Sequence, residues 1–270
     1  MKAALLIFDI LTDWFMQYKE RVPDELFEQE HYLGRPADIT DKIVSRRIQI
    51  IEQFTGFTGS AYSLLDIGCG NGASMFILSK KMKECVGIDI VDDYEYAIND
   101  YLTKNIIANC RFQCVDIEKD SSPLTRQFDR ITSFEVIEHL RDENSVSIFR
   151  DLLKDDGLLA ISVPNKWWIF ETHGAKLPLL PWNRVPFFSW LPRVLHERWA
   201  NARIYTQSRI TELLERNGFE VLKTEYVMAP MDVLKEGKFK RFLVKNFFKK
   251  DTTKIPFKST AILVIAKKKR

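Results

Sequence analysis

The stretch Leu64-Leu65-Asp66-Ile67-Gly68-Cys69-Gly70-Asn71-Gly72 decides how the chain is read. An apolar run ends in an acid, and three glycines then alternate with other residues. Glycine accepts φ values that side chains disfavour, so the backbone can turn sharply here and approach a ligand closely. A helix is predicted from about Ala73, and its free N-terminal amides would face the same crevice. In an open parallel sheet, ligands lie at the carboxyl ends of the strands. A glycine loop alone is shared by several cofactor classes, and GCGNGA also satisfies the dinucleotide pattern G-x-G-x-x-G/A.

Outward from this loop, short apolar runs alternate with helical patterns. The runs are YSLLDIG, ECVGIDI, CRFQCVDI, FDRITSF and GLLAISVP. Helical segments are predicted at about 73–83, 93–104, 143–154 and 207–217. Alternation of this kind predicts an α/β fold with a parallel sheet. The runs are continuously apolar, as strands buried on both faces should be. Upstream, residues 1–60 read as helical, and Thr40 or Asp41 is placed to cap a helix through IVSRRIQIIEQF. Gly218 reads as a helix stop before a strand, and STAILVIAKKK as the last strand.

Composition sets the outer limits. The chain has 270 residues, 46% hydrophobic and 29% charged, which describes an ordinary globular protein. Its net charge of +3 is unevenly spread. Residues 235–258 carry nine Lys or Arg against two acids, and the chain ends in KKKR. Without these two stretches, 27 basic residues face 35 acids, a net −8. A uniformly basic nucleic-acid coat is excluded. Four scattered cysteines suit a reducing, cytoplasmic compartment, and core packing is expected for Cys110 and Cys114. No apolar stretch is long enough to predict a membrane-spanning helix.

Asp66 ahead of the first glycine separates the loop from its dinucleotide look-alike. The loop resembles the D-x-G-x-G-x-G signature of class I S-adenosylmethionine-dependent methyltransferases, of the type-11 or ubiquinone O-methyltransferase-like kind. The resemblance is strong over 61–165 and looser over 204–228. It implies a Rossmann-like, seven-stranded, mostly parallel sheet with helices on both faces. It also implies an N-terminal helical cap (1–60), a cofactor-binding core (61–163), an insertion after the fifth strand (164–204) and a C-terminal part of the core (205–270). Asp66, Gly68, Gly70 and Gly72 become the cofactor loop. Asp89, ending the second strand, is implied to hold the ribose hydroxyls. Asp116, with Ile117 beside it, is implied to meet the adenine.

The run Glu135-Val136-Ile137-Glu138-His139 carries the candidate chemistry. A helical turn starting near Glu135 would put Glu135, Glu138 and His139 on one face. Two carboxylates and an imidazole can form a metal site or an acid/base site. The run is similar to that of ubiquinone-type O-methyltransferases. It also resembles small-RNA 2′-O-methyltransferases, where such residues and a later histidine hold a divalent cation. The ligand types suit Mg²⁺ or Mn²⁺. The plainer reading leaves His139 in a local hydrogen bond and the glutamates solvated. His173, near Glu171, or His196 could complete the site, with His173 preferred. His139 is the expected base, or His173 where a metal takes the first site.

The insertion 164–204 holds five of the six tryptophans and five of the ten prolines. It reads as a lid over an apolar pocket, or as a membrane contact with Arg184, Arg193 and Arg198 on phosphates. The run KFKRFLVKNFFKK (238–250) interleaves Phe and Leu with basic residues, as interfacial helices do. The expected partners are a small-molecule or lipid-linked acceptor and an anionic membrane surface. RNA is the alternative partner. A nicotinamide oxidoreductase and a non-catalytic scaffold are the remaining readings.

Overall fold

The computed structural model describes residues 39–175, 186–231, 234 and 237–269. The cap expected before residue 39, Trp182 and Arg184 lie outside the described residues. The elements in order are α1 (Lys42–Glu52), β1 (Gly59–Ile67), α2 (Ala73–Ser79), β2 (Met82–Asp89), α3 (Tyr94–Lys104), β3 (Cys110–Cys114) and β4 (Phe128–Phe134). Then come α4 (Val146–Leu152), β5 (Leu153–Pro164), α5 (Arg193–Trp199), α6 (Gln207–Arg216), β6 (Phe219–Met228), α7 (Lys238–Phe247), β7 (Thr252–Thr253) and β8 (Ser259–Lys268).

The sheet runs β3-β2-β1-β4-β5-β8-β6-β7. It is parallel except that β8 lies antiparallel to β5 and β6, and β7 antiparallel to β6. The eighth strand corrects the expectation of seven. β7 is two residues at the edge of β6, inside the basic insertion, and too short to leave an alternating signal. A second correction concerns Cys114, which is exposed rather than packed in the core. It sits at the end of β3, the edge strand, where the sheet has no further neighbour among the described residues.

Side chains alternate between two cores. Leu65 and Ile67 face one, with Phe149 of α4 and Ile210, Leu213 and Leu214 of α6. Leu64 faces the other, with Val44, Ile48 and Ile51 of α1 and Met75 and Phe76 of α2. The spacing of Val44, Ile48 and Ile51 turns one face of α1 inward. Asp41 takes the N-cap position of α1 without a side-chain capping bond. Thr206 does cap α6, accepting from the Arg209 N–H.

Arg46 of α1 is fully buried. Its guanidinium donates to the carbonyls of Met228, Ala229 and Phe248 at 2.7, 2.7 and 2.5 Å. These carbonyls end β6 and follow α7, so α1 fastens both ends of the excursion that carries α7. A charge without these partners would be costly here, and so would the abandoned carbonyls. Arg46→Leu should therefore lower stability by about 3 kcal/mol. Hydrogen-exchange mass spectrometry should show lost protection concentrated in 238–253. Loss spread evenly over the sheet would contradict this anchoring role.

Candidate active site

The cofactor loop lies between the ends of β1 and β2. Gly68 and Cys69 donate their N–H groups to the Ile88 carbonyl at 2.8 and 3.0 Å. Gly68, Gly70 and Gly72 have φ of 68°, 52° and 83°, which side chains disfavour. At Gly68 there is a second reason for glycine. A Cβ there would meet Val136 Cγ2 at 2.2 Å. The loop and the Glu135–His139 run are therefore in direct contact.

Asp66 is buried, and one of its oxygens accepts from Thr132 Oγ1 at 2.7 Å. The other has no partner. Burial, with Asp89 nearby, pushes its carboxyl up to about 7. Asp89 accepts from the N–H groups of Gly70 (2.8 Å) and Val91 (3.1 Å), which also braces the loop. Its carboxyl is raised, burial outweighing those donors. Asp116 is half-buried and ion-paired with Arg141 (2.6 Å) and Lys119 (3.3 Å). These cations hold its carboxyl below the usual range. Ile117 is buried in the core on the α4 and α6 side.

The expected helical turn from Glu135 does not form. Glu135 has φ 59°, a left-handed conformation, and a 3-10 turn spans Ile137–His139. Three hydrogen bonds hold Glu135 out of the turn. Its N–H donates to the Ser162 carbonyl at 2.9 Å, and its carboxylate accepts from Arg47 and Ser162 Oγ, both at 2.8 Å. The acidic and imidazole groups converge nonetheless. His173 Nε2 lies 3.4 Å from Glu138 Oε1 and 4.0 Å from Glu135 Oε2. The His139 and His173 rings are 5.0 Å apart. Glu138, His139 and His173 each offer a ligand atom, all within 4.8 Å of one another.

This cluster is largely buried. The Glu138 side chain is fully buried, and neither of its oxygens has a hydrogen-bond partner. Burial first, then the Glu135 charge, holds its carboxyl well above the usual range. His139 Nε2 is likewise buried without a partner. Burial and the Arg203 guanidinium push His139 down to about 4, so its imidazole is neutral at pH 7.

Of the two later histidines, His173 joins the cluster and His196 does not. His196 Nε2 is bound to Glu171 at 2.7 Å, both side chains buried. The other Glu171 oxygen accepts the His173 N–H at 3.1 Å. Arg193, expected to meet phosphates, is paired instead with Glu197 at 3.0 Å along α5. Sequence reasoning missed Arg47, Ser162, Arg203 and the bracing role of Glu171. A trace of Arg47 was visible, since two adjacent arginines interrupt the apolar face of IVSRRIQII.

A methyltransferase-domain family matches residues 20–224 of the 270. The chain belongs to this family. It is a class I S-adenosylmethionine-dependent methyltransferase. Its relatives include a ubiquinone biosynthesis O-methyltransferase of Coxiella burnetii (strain RSA 331 / Henzerling II), 27% identical over 183 residues. That match covers 65% of this chain and 70% of the relative. Another ubiquinone biosynthesis O-methyltransferase, from Bradyrhizobium diazoefficiens, is 30% identical over 175 residues and covers 62% of each chain. A solved methyltransferase from Clostridium acetobutylicum shares the fold, with TM-score 0.53 at 14% identity, over 99% of this chain and 100% of that one. Membership displaces the nicotinamide reading. The loop suits the cofactor in its own geometry: an unpartnered buried oxygen on Asp66, a second carboxylate at Asp89, and glycines whose turn leaves backbone facing the crevice.

The raised Asp66 carboxyl has a consequence for stability. From its ordinary value of 3.8 up to about 7, the folded chain keeps a proton that the unfolded chain releases. Its contribution to stability is complete below the lower value and is lost as pH rises through the upper one. In urea unfolding of the cofactor-free protein, Asp66→Asn should remove a decline on the order of 2 kcal/mol between about pH 5 and about pH 8. Equal decline in wild type and variant would refute the buried, protonated carboxyl.

Proposed function

We propose that the protein transfers a methyl group to a hydroxyl of a small-molecule or lipid-linked acceptor. The observation that carries this reading is the largely buried convergence of Glu138, His139 and His173 against the glycine loop. The two ubiquinone O-methyltransferase relatives support oxygen as the accepting atom. S-Adenosylmethionine, when bound, supplies an electrophilic methyl group and its own leaving group. The chain is left with two tasks, placing the acceptor and taking its proton. Asp66, Asp89, Asp116 and Ile117, with Gly68, Gly70 and Gly72, hold the cofactor in this reading. His139 is the preferred base, because its Nε2 is neutral and has no other partner. Glu135, 4.0 Å from the His173 ring nitrogen, offsets positive charge that proton uptake creates on the imidazoles. Glu171 positions His173 through its backbone N–H.

A second reading is favoured by one observation. The unpartnered Glu138 oxygens and the two imidazoles form a donor set that suits Mg²⁺ or Mn²⁺. Glu138, His139 and His173 would hold the ion, with Glu135 beside them. The ion would lower the pKa of the acceptor hydroxyl, and His173 would then be better counted as a ligand than as a base. Among the described residues no helix is long and apolar enough to cross a membrane. We infer a cytoplasmic protein that works at the periphery of a membrane, supported by the scattered free cysteines and by the surface argued below.

Calorimetry should show S-adenosylhomocysteine binding, weakened by about 1–3 kcal/mol in Asp89→Ala. With a hydroxyl acceptor, His139→Ala should slow turnover by about 10²–10⁴ while leaving that binding intact. Chelator separates the two readings. Loss of turnover that Mg²⁺ or Mn²⁺ restores assigns the cluster to a cation, and unchanged turnover assigns it to proton transfer. If neither chelator nor His139→Ala changes turnover, the cluster is not the catalytic centre.

A further inference from the structure

Among the described residues, the exposed aromatic side chains other than Tyr96 fall in two stretches, 187–190 and 239–257. Phe239, Phe242 and Phe247 of α7 are 53%, 56% and 47% exposed. Phe257, Trp190 and Phe187 are 48%, 38% and 53% exposed. They form two linked rows. Phe242 and Phe247 lie 6.1 Å apart, and the Lys258 ammonium sits 5.3 Å from the Phe247 ring. Phe257, next to Lys258 in the chain, lies 5.5 Å from Trp190, which lies 5.0 Å from Phe187. Isolated exposed apolar residues need no explanation, but two such groups meeting in the chain at Phe257 and Lys258 do.

The sequence of α7 and the stretch after it is predominantly basic. Eight Lys or Arg lie between 238 and 258 against one acid, Asp251. That acid is half-buried and turned inward, 3.8 Å from the Arg46 guanidinium. The surface therefore combines interfacial aromatics with an excess of basic over acidic residues, the composition that suits anionic headgroups over an apolar interior.

Its position gives it a purpose. β6 runs parallel to β1 and β5, because both β5 and β6 pair antiparallel with β8. The excursion from Met228 through α7 to Ser259 therefore projects from the same sheet edge as the cofactor loop. Asn165, just past β5, donates to the carbonyls of Pro256 and Ser259 at 2.9 and 2.8 Å and ties that excursion to the site's side of the sheet. We propose that α7 and the Phe257–Trp190–Phe187 row form a docking surface for an anionic lipid bilayer, which turns the mouth of the active site toward the membrane. This deepens the lipid-linked form of the function above and rests on it for its purpose. An acceptor with an apolar tail could then present its hydroxyl without leaving the bilayer. RNA is less well matched. The rest of the chain is net negative, which repels an extended polyanion beyond the basic patch.

The test uses the full chain and phosphatidylcholine vesicles, either pure or with about one-third phosphatidylserine. Wild type should co-sediment with the anionic vesicles at low salt, dissociate as salt rises and largely ignore the neutral ones. Lys245→Gln with Lys249→Gln should weaken partitioning by about 25-fold, at about 5-fold per lysine. Phe239→Ser with Phe242→Ser should weaken it at least about ten-fold. Calorimetric binding of S-adenosylhomocysteine should be unchanged in both variants, which shows that they are folded. The proposal is overturned if wild type stays in the supernatant, if both folded variants partition as wild type does, or if the same residues bind a single-stranded RNA more tightly than the vesicles. Methyl transfer to a soluble hydroxyl acceptor, measured alongside, reports separately on the function. Transfer without sedimentation removes only the docking surface.

Discussion

The site depends on one steric fact, the absence of a side chain at residue 68. Val136 lies where that side chain would be. The contact presses the end of β4 onto the cofactor loop at the end of β1. Because Val136 sits between Glu135 and Glu138, its packing places both acids. Glu135 is driven into a left-handed conformation that costs on the order of 1 kcal/mol or more. Its bonds to Arg47 and Ser162 offset that cost. The strain thus has a visible product, a carboxylate aimed at His173 instead of along a helix.

Helix α1 joins the two halves of the functional edge. Arg47 holds Glu135 at the site, while the adjacent Arg46 holds the base of the α7 excursion. Adjacent residues on a helix point about 100° apart, so one short helix can serve both places. Burying two guanidiniums is expensive, and here both are compensated by carbonyls or a carboxylate. The cost makes sense if the helix fixes where the α7 surface lies relative to the chemistry.

Much of this was legible in the sequence because its determinants are local. Asp66 and the three glycines mark the sharp turn between β1 and α2, continuous apolar runs mark buried parallel strands, and Gly218 marks a helix end. What was not legible depends on long-range partners. The turn at Glu135 obeys Ser162, 27 residues away, and Arg47, 88 residues away. Local periodicity had suggested an α-helical turn there. The Arg193–Glu197 pair, by contrast, is local, at the i,i+4 spacing of α5. β7 was invisible because two residues carry no period.

His196 explains how a residue can be structural and still matter to the site. It binds Glu171, and Glu171 in turn holds the backbone of His173. Asn201, just past α5, donates to the His173 carbonyl at 3.0 Å, while Thr172 Oγ1 meets its Nδ1 at 2.9 Å. The ring is thereby presented with Nε2 toward the glutamates. His196 lies on α5, and Arg209 of α6 joins Glu197 of α5 to Glu143 of the core. The described part of the insertion is therefore tied to the core by charge and to the site by hydrogen bonds. A displacement of α5 would have to move His173, so the described part of the segment between β5 and α6 sets the geometry of the cluster.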